Sequence, residues 1–324
     1  MPVFFHLPAH HRPEPARQQS WSEGAPVTLE AEGKTATAQA WIYQTWLRLS
    51  QAGAEAELVD RIPEEGVVIT LNGWLAPDYR SPRGAFVAGI VADGLPHPGA
   101  DLQIVQNLWH AQRLPFSVFM PHWTQPGLVP RDAMRGDKLE NVCFFGNPAN
   151  LATGLREAHW STKLRESTGA SFGIRGAEKW HDYRDVDAIV AVRGFGRGKQ
   201  PQKPATKLYN AWLAGVPFIG GRDTAYAAEG TAGEDYLVAT SPEEVIAQVK
   251  RLRDEAGLRT RLVEAGKRRA TTRQEESLVN QWQKFLQSAE QQLREKVGKS
   301  GGRLAVEQKL KELAFAADAL RRRD

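Results

Sequence analysis

One stretch constrains this chain more than any other: Lys203-Pro-Ala-Thr-Lys-Leu-Tyr-Asn-Ala-Trp-Leu-Ala-Gly-Val-Pro-Phe-Ile-Gly-Gly221. Gly215 is a helix stop, and Pro217 prevents the helix from resuming. Pro204 suits a first helical position, where a missing N–H is no loss. Leu208, Ala211, Trp212 and Leu213 recur at helical spacing and predict a covered face. Residues 216–219 then read as a short apolar strand, and residues 186–193 as another just upstream. Strand, loop, helix, strand is one unit of a parallel α/β sheet, which binds ligands at the carboxyl ends of its strands. Thr206 and Lys207 lie in the first turn of the helix, Lys203 just ahead of it and Arg193 at the strand end. Free N–H groups, the positive end of the helix dipole and these cations together suit a diphosphate. A solvated basic surface helix fits the same residues.

With 324 residues the chain can bury two cores. No apolar run approaches the ~20 residues that span a bilayer. The start, Met1-Pro-Val-Phe-Phe-His6, is too short and lacks the basic flank of a signal peptide, and it reads as a first strand. A single cysteine, Cys143, excludes an intramolecular disulfide and a cysteine zinc site, and a reducing cytoplasm is expected. The net charge of +4 is mild. Basic residues are interleaved with acids and lack stacking aromatics, so no nucleic-acid partner is expected.

Taken in order, His10-His11-Arg12 reads as a loop with exposed histidines. A helix follows, capped at Thr35 or Thr37 and carrying Trp41, Ile42, Thr45, Trp46 and Leu49 on one face. Strands are expected at 56–59, 66–70, 85–91, 102–105 and 116–119, too close together for full crossover helices. The Pro-dense run 120–131 is a rigid loop whose His122, Trp123 and Gln125 are residue types that touch sugars; a packed Trp in a stiff connector is the other reading. Residues 140–147 form a strand ending in Gly146-Asn147. Gly194-Phe-Gly-Arg-Gly-Lys199 matches neither a Walker loop nor a dinucleotide fingerprint; it reads as a mobile basic lid leading into the Lys203 site, with a simple flexible loop as the other reading. Asp182 and Asp185 have the chemistry of acids, but aspartates at element boundaries usually cap, and they are read so here. No Asp-x-Asp is expected to hold a divalent ion, and no metal set is expected. Ser241-Pro-Glu-Glu244 is a capping box. Leu278, Trp282, Phe285, Ala289 and Leu293 mark an amphipathic helix. Residues 299–303 read as a linker, and Val306, Leu310, Leu313, Ala317 and Leu320 as a short heptad stripe ending in Arg321-Arg-Arg323. That stripe is expected to pack on the body, with pairing to another chain or rest on anionic lipid as alternatives.

The run Lys203-Pro-x-Thr-Lys207-Leu-x-Asn210-Ala-x-x-Ala-Gly215-Val-Pro217 resembles the donor segment of GT-B nucleotide-sugar glycosyltransferases of the family 4-like group. The likeness continues through Asp223-x-Ala-Tyr226, Asp235-Tyr-Leu-Val238, Ser241-Pro-Glu-Glu244 and Gly266-x-x-Arg269-Ala270. It implies an α/β chain of two Rossmann-like domains facing a cleft, with a C-terminal helical extension. The expected parts are an acceptor-side domain over 1–135, a donor domain over 136–275, a helix over 276–298 crossing back to the first domain, and a linker with a basic amphipathic tail over 299–324. The implied reaction moves a sugar from a nucleotide-diphosphate sugar, without a metal or other cofactor and with retention, to a carbohydrate, lipid-linked or small-molecule acceptor. Arg193, Lys203, Thr206 and Lys207 would hold the diphosphate, Gly146 and Asn147 would admit it closely, and Asn210 and Tyr226 would meet ribose or sugar. His122 is the catalytic or acceptor-positioning candidate, with Trp123 and Gln125 on the acceptor side. The chain departs from the group where many members carry two glutamates eight residues apart: it has Gln202 and Asn210. An epimerase or hydrolase using the same pocket, and a non-catalytic sugar- or nucleotide-binding relative, therefore stay open.

Overall fold

The computed structural model describes residues 1–22, 33–196 and 200–321. They form two compact units: 1–123 with 201–204 and 275–324, and 124–200 with 205–274. Both are α/β, each around one all-parallel sheet.

The first unit opens with β1 (Val3–His6), then α1 (Pro15–Ser22) and α2 (Gly33–Ala38). A π turn (Gln39–Tyr43) leads into α3 (Gln44–Gln51). The sequence pattern predicted one regular helix here; the wide turn brings all five of its residues inside. β2 (Glu57–Val59), β3 (Gly66–Leu71), β4 (Ala85–Ile90), β5 (Leu102–Val105), α4 (Leu108–Ala111) and β6 (Ser117–Phe119) follow, giving the sheet order β2-β1-β3-β4-β5-β6. Beyond β3 the crossovers carry no full helix, only the 3-10 turn Asn72–Trp74 and the one-turn α4, as the close strand spacing predicted.

The passage 124–135, expected to close the first domain, packs with the second unit. Val129 N–H donates to His181 (2.7 Å) and Arg131 N–H to Ala214 (3.0 Å). This unit runs β7 (Asn141–Phe145), α5 (Ala158–Thr168), β8 (Ser171–Arg175), β9 (Ala188–Ala191), α6 (Thr206–Ala214), β10 (Phe218–Gly220), α7 (Thr224–Glu229), β11 (Leu237–Val238), α8 (Pro242–Asp254) and α9 (Leu258–Ala270). Its strand order is β11-β10-β9-β7-β8. Gly215 ends α6 in the left-handed region (φ 69°, ψ 36°), a conformation that glycine adopts without strain. Pro204 lies ahead of the helix rather than in it: Ala205 (φ −87°, ψ 17°) is the turning residue and Thr206 the first helical one. α6 packs on α9, where Gly266 leaves room for the Trp212 indole. Ser241 caps α8 by accepting from Glu244 N–H (3.1 Å), as its motif predicted.

The last two helices return to the first unit. α10 (Glu275–Gly298) sets Leu278, Trp282, Phe285 and Leu293 into one core with Phe5, Ile69 and Ile90. Lys296 ends buried, donating to Asp101 (2.9 Å), Ser81 Oγ (2.8 Å) and the carbonyls of Pro82 and Ala85. The expected linker shrinks to Lys299 and Ser300, because Ser300 Oγ accepts from Arg303 N–H (3.3 Å) and starts α11 (Gly301–Arg321) at once. α11 also corrects the heptad reading. Lys311, Phe315 and Asp318 face the body, while Val306, Leu310, Leu313 and Leu320 are exposed.

Candidate functional site

In the second sheet β7 is flanked by β8 on one side and β9 on the other, so the crevice of an open α/β sheet lies at the carboxyl ends of β7 and β9. Gly146 follows β7 with φ 137°. Lys207, in the first turn of α6, leans over it: a methyl built on Gly146 would come 3.3 Å from both Cε and Nζ of Lys207. The Lys207 ammonium also sits 5.4 Å from the centroid of the Phe144 ring. Among the described residues no side chain caps α6, and the buried Thr206 Oγ1 has no hydrogen-bond partner. An uncapped helix start, a hydroxyl and an ammonium, set beside a glycine without a side chain to block approach, form an anion cradle. Asn147 is exposed and caps its own short turn, accepting from Ala149 N–H (2.9 Å).

Arg193, just past β9, is nearly buried. Its guanidinium pairs with Asp223 and reaches the Tyr226 hydroxyl (3.2 Å). Asp223 in turn caps α7 through Ala225 N–H (2.9 Å). An open pocket at these strand ends is lined by Arg193, Gly194, Gln200, Gly221, Arg222 and Asp223. Arg222 is exposed there, a cation the sequence reading passed over although it directly follows Gly220-Gly221. The middle of the expected basic loop, 197–199, lies outside the described residues.

Three expected ligand residues are engaged by other residues of the protein. Tyr226 is fully buried against Phe218 and Tyr236, and burial pushes its hydroxyl pKa up, so it offers no face to a sugar. Asn210 is buried too, and its Oδ1 accepts from Gln125 N–H (2.9 Å). Gln125 is thereby tied to α6. Lys203 groups with the first unit, where its Nζ pairs with Asp93 (3.1 Å) and its carbonyl accepts from Asn107 (3.2 Å).

An Asp-x-Asp does occur, at Asp185-Val-Asp187, and both carboxylates are engaged. Asp185 pairs with Arg175 (2.6 Å). Asp187 is held by Arg131 (2.8 Å), Arg135 (2.7 Å) and the N–H groups of Glu140 and Asn141. Burial pushes the Asp187 carboxyl up, but these donors outweigh it and hold its pKa below the ordinary value. Among the described residues no group of His, Cys, Asp and Glu is placed to hold a metal.

In the first unit Trp123 is buried rather than presented to a sugar: its Nε1 donates to Thr45 (2.8 Å) and Arg48 stacks 4.7 Å from its ring. His122 is half-buried, edge-on to Trp41 (4.9 Å). Its Nδ1 lies 2.8 Å from the Trp123 carbonyl, which can only accept. The neutral ring therefore carries its proton on Nδ1 and its lone pair on Nε2, the form a base needs. A second group was missed. β1 lies between β2 and β3, and at its end His6 meets Thr70 (2.8 Å), while His11 meets Thr35 (2.9 Å) and stacks on Trp74 (5.3 Å). Burial lowers the pKa of both histidines. His11 is thus no loose loop histidine, though His10 is exposed. The available signal was the position of His6 at the end of the first strand.

Two parallel α/β sheets with the crevice and cradle described define the GT-B fold, the fold of a large class of glycosyltransferases. Residues 156–287 match the family described as glycosyl transferase-like, a span that holds α6 and the whole motif run from Lys203 to Arg269. Among solved structures the chain is similar to sucrose-phosphate synthase from Thermosynechococcus elongatus (10% identity, 89% of this chain and 98% of that one, TM-score 0.55). It is similar also to HepE from Anabaena, solved with UDP and glucose (12% identity, 89% and 100%, TM-score 0.51). A third is the pneumococcal O-GlcNAc transferase GtfA, solved with UDP and GlcNAc (13% identity, TM-score 0.50); the match takes in 76% of this chain and only 60% of GtfA. No curated protein sequence matches the chain significantly.

Proposed function

We propose that this protein transfers a sugar from a nucleoside-diphosphate sugar to an acceptor hydroxyl. The observation that carries the reading is the cradle at the switch point of the second sheet: Lys207 over Gly146, beside the uncapped start of α6 and the unpartnered Thr206 hydroxyl. As the glycosidic bond breaks, negative charge gathers on the departing diphosphate. Donors already fixed around that position stabilise the transition state more than the ground state. Lys207 and the helix N–H groups act on the diphosphate directly, without a divalent ion. Arg193 stays a diphosphate candidate although Asp223 matches its charge, and exposed Arg222 is a further contact. A uridine nucleotide heads the candidate donors, because HepE and GtfA were each solved with UDP. His122, with its lone pair on Nε2, positions or deprotonates the acceptor, which is a carbohydrate, a lipid-linked sugar or a small molecule. Transfer proceeds with retention, as the resemblance implies.

The test is thermal shift against a panel of nucleoside diphosphates and their sugars. A ligand at 100 times its Kd adds about 2.7 kcal/mol of stability. A shift with one nucleotide that vanishes in Lys207→Ala is the expected result; no shift with any member at millimolar ligand refutes the donor site. One observation favours a second reading, a binding protein without turnover. By the resemblance, the neutral Asn210 stands where many members of the family 4-like group carry a glutamate, and its Oδ1 accepts from Gln125 N–H. Saturable nucleotide-sugar binding with no release of nucleoside diphosphate, even to water, would select it.

A further inference from the structure

α11 is docked with its apolar stripe outward, and the docking is specific. On the body side Lys311 Nζ donates to the Ala100 carbonyl (2.7 Å), Asp318 meets His110 (3.2 Å), Glu312 meets Arg80 (3.0 Å), and Phe315 fills a core with Val91, Val105 and Leu114. These anchors fix the rotation of the helix, so the exposure of Val306, Leu310, Leu313 and Leu320, each more than half exposed, is built in. At 1.5 Å per residue the stripe is about 21 Å long. A contiguous apolar patch on a protein surface marks an interaction site.

The charges on the helix say what covers it. With 100° between residues, Arg303 and Arg321 lie about 60° to one side of Val306 and Lys309 about 60° to the other. The three acids of the helix, Glu307, Glu312 and Asp318, lie about 100° or more away, toward the body. Each is paired there, with Lys299 (2.8 Å), Arg80 and His110 respectively. Arg303 and Lys309 also reach acids of their own helix (3.9 and 3.3 Å), but the cations are about 70% exposed, and such pairs contribute little. The sequence adds Arg322 and Arg323. A paired copy of α11 would need complementary charges beside the stripe; the flanks here are basic or alanine. No helix among the described residues is long and apolar enough to cross a bilayer.

From this arrangement we infer that α11 is a membrane-surface helix, seating Val306, Leu310, Leu313 and Leu320 in an anionic bilayer with Arg303, Lys309 and Arg321 among the headgroups. The inference is independent of the donor site.

The test is flotation of the full chain with two sets of vesicles, phosphatidylcholine alone and phosphatidylcholine with about one third phosphatidylglycerol. Binding to the anionic set at low salt is expected, falling as salt rises. The exposed pair Leu310→Gln/Leu313→Gln should weaken it at least about tenfold. Arg303→Gln/Lys309→Gln should weaken it about thirtyfold, near the effect of two cations at a charged surface. Circular dichroism and melting behaviour of both variants should match the parent. No binding to either vesicle set overturns the inference, as does binding that the leucine pair leaves unchanged. A chain that dimerises through these leucines and ignores vesicles assigns the stripe to a second copy, which also overturns it.

Discussion

Gly146 and Lys207 should act on nucleotide binding as one unit. If Lys207 holds the diphosphate as proposed, Lys207→Ala removes a charged hydrogen bond worth about 1.5–3 kcal/mol, or about ten- to 150-fold in Kd. Gly146→Ala acts on the same group by a different route. The new methyl would stand 3.3 Å from Lys207 Cε and Nζ, tighter than ordinary contact, so the flexible ammonium end moves off the crevice. The backbone adds a second effect: at φ 137° an alanine is strained, with a cost to stability of about 1–3 kcal/mol. Stability and affinity therefore separate. Gly146→Ala should lower both, Lys207→Ala chiefly affinity. Once Lys207 is alanine, adding Gly146→Ala should cost stability but little further affinity. Isothermal titration of the four proteins with the nucleoside diphosphate found by thermal shift measures the coupling. Affinity losses that add in full in the double variant would refute the claim that the glycine serves the lysine. A folded Lys207→Ala that binds as tightly as the parent would remove the lysine from the site.

Asp187→Asn should destabilise the second unit by about 3 kcal/mol, read by urea denaturation, because it leaves Arg131 and Arg135 without their shared carboxylate. The folded pKa of Asp187 lies below its unfolded value, so its contribution is complete above about pH 4 and is lost as pH falls through the folded value. The variant's stability should accordingly change less than the parent's over that acid range. Gly266→Ala should cost about 1–3 kcal/mol, since the methyl would lie 2.3 Å from Trp212 Cδ1 and force α6 and α9 to shift; an unchanged melting point would contradict that packing. Lys296→Ala should cost about 3–5 kcal/mol by stranding the Asp101 carboxylate, with hydrogen-exchange protection lost first in β4 and β5.

Local chemistry made much of the fold legible. Gly215 and Pro217 marked the end of α6, Ser241 and Glu244 the start of α8, and the spacing of Leu278, Trp282 and Phe285 the inner face of α10. Each signal acts within a turn or two of chain. The site was harder, because residue type does not say which way a side chain faces. Trp123 and Tyr226 are types that bind sugars, yet both are core residues here, set by packing against distant elements. Asn210 looked like a ligand because of its place in the motif, but a loop 85 residues upstream takes its carbonyl. In α11 the apolar period named a face correctly and its direction wrongly. Three polar anchors, Lys311, Glu312 and Asp318, decide that orientation, and they carry no periodic signal.

The return of α10 to the first sheet bears on how the protein is made. On the ribosome β1 to β6 emerge first, but Phe5, Ile69 and Ile90 lack the helix that covers them until residues 278–293 have been synthesised. By then nearly all of the second unit has already left the exit tunnel. Its sheet can close from one nearly continuous stretch, while the earlier-born sheet waits with an uncovered apolar face. A chain broken off before α10 would therefore leave part of that apolar face open to aggregation and proteolysis.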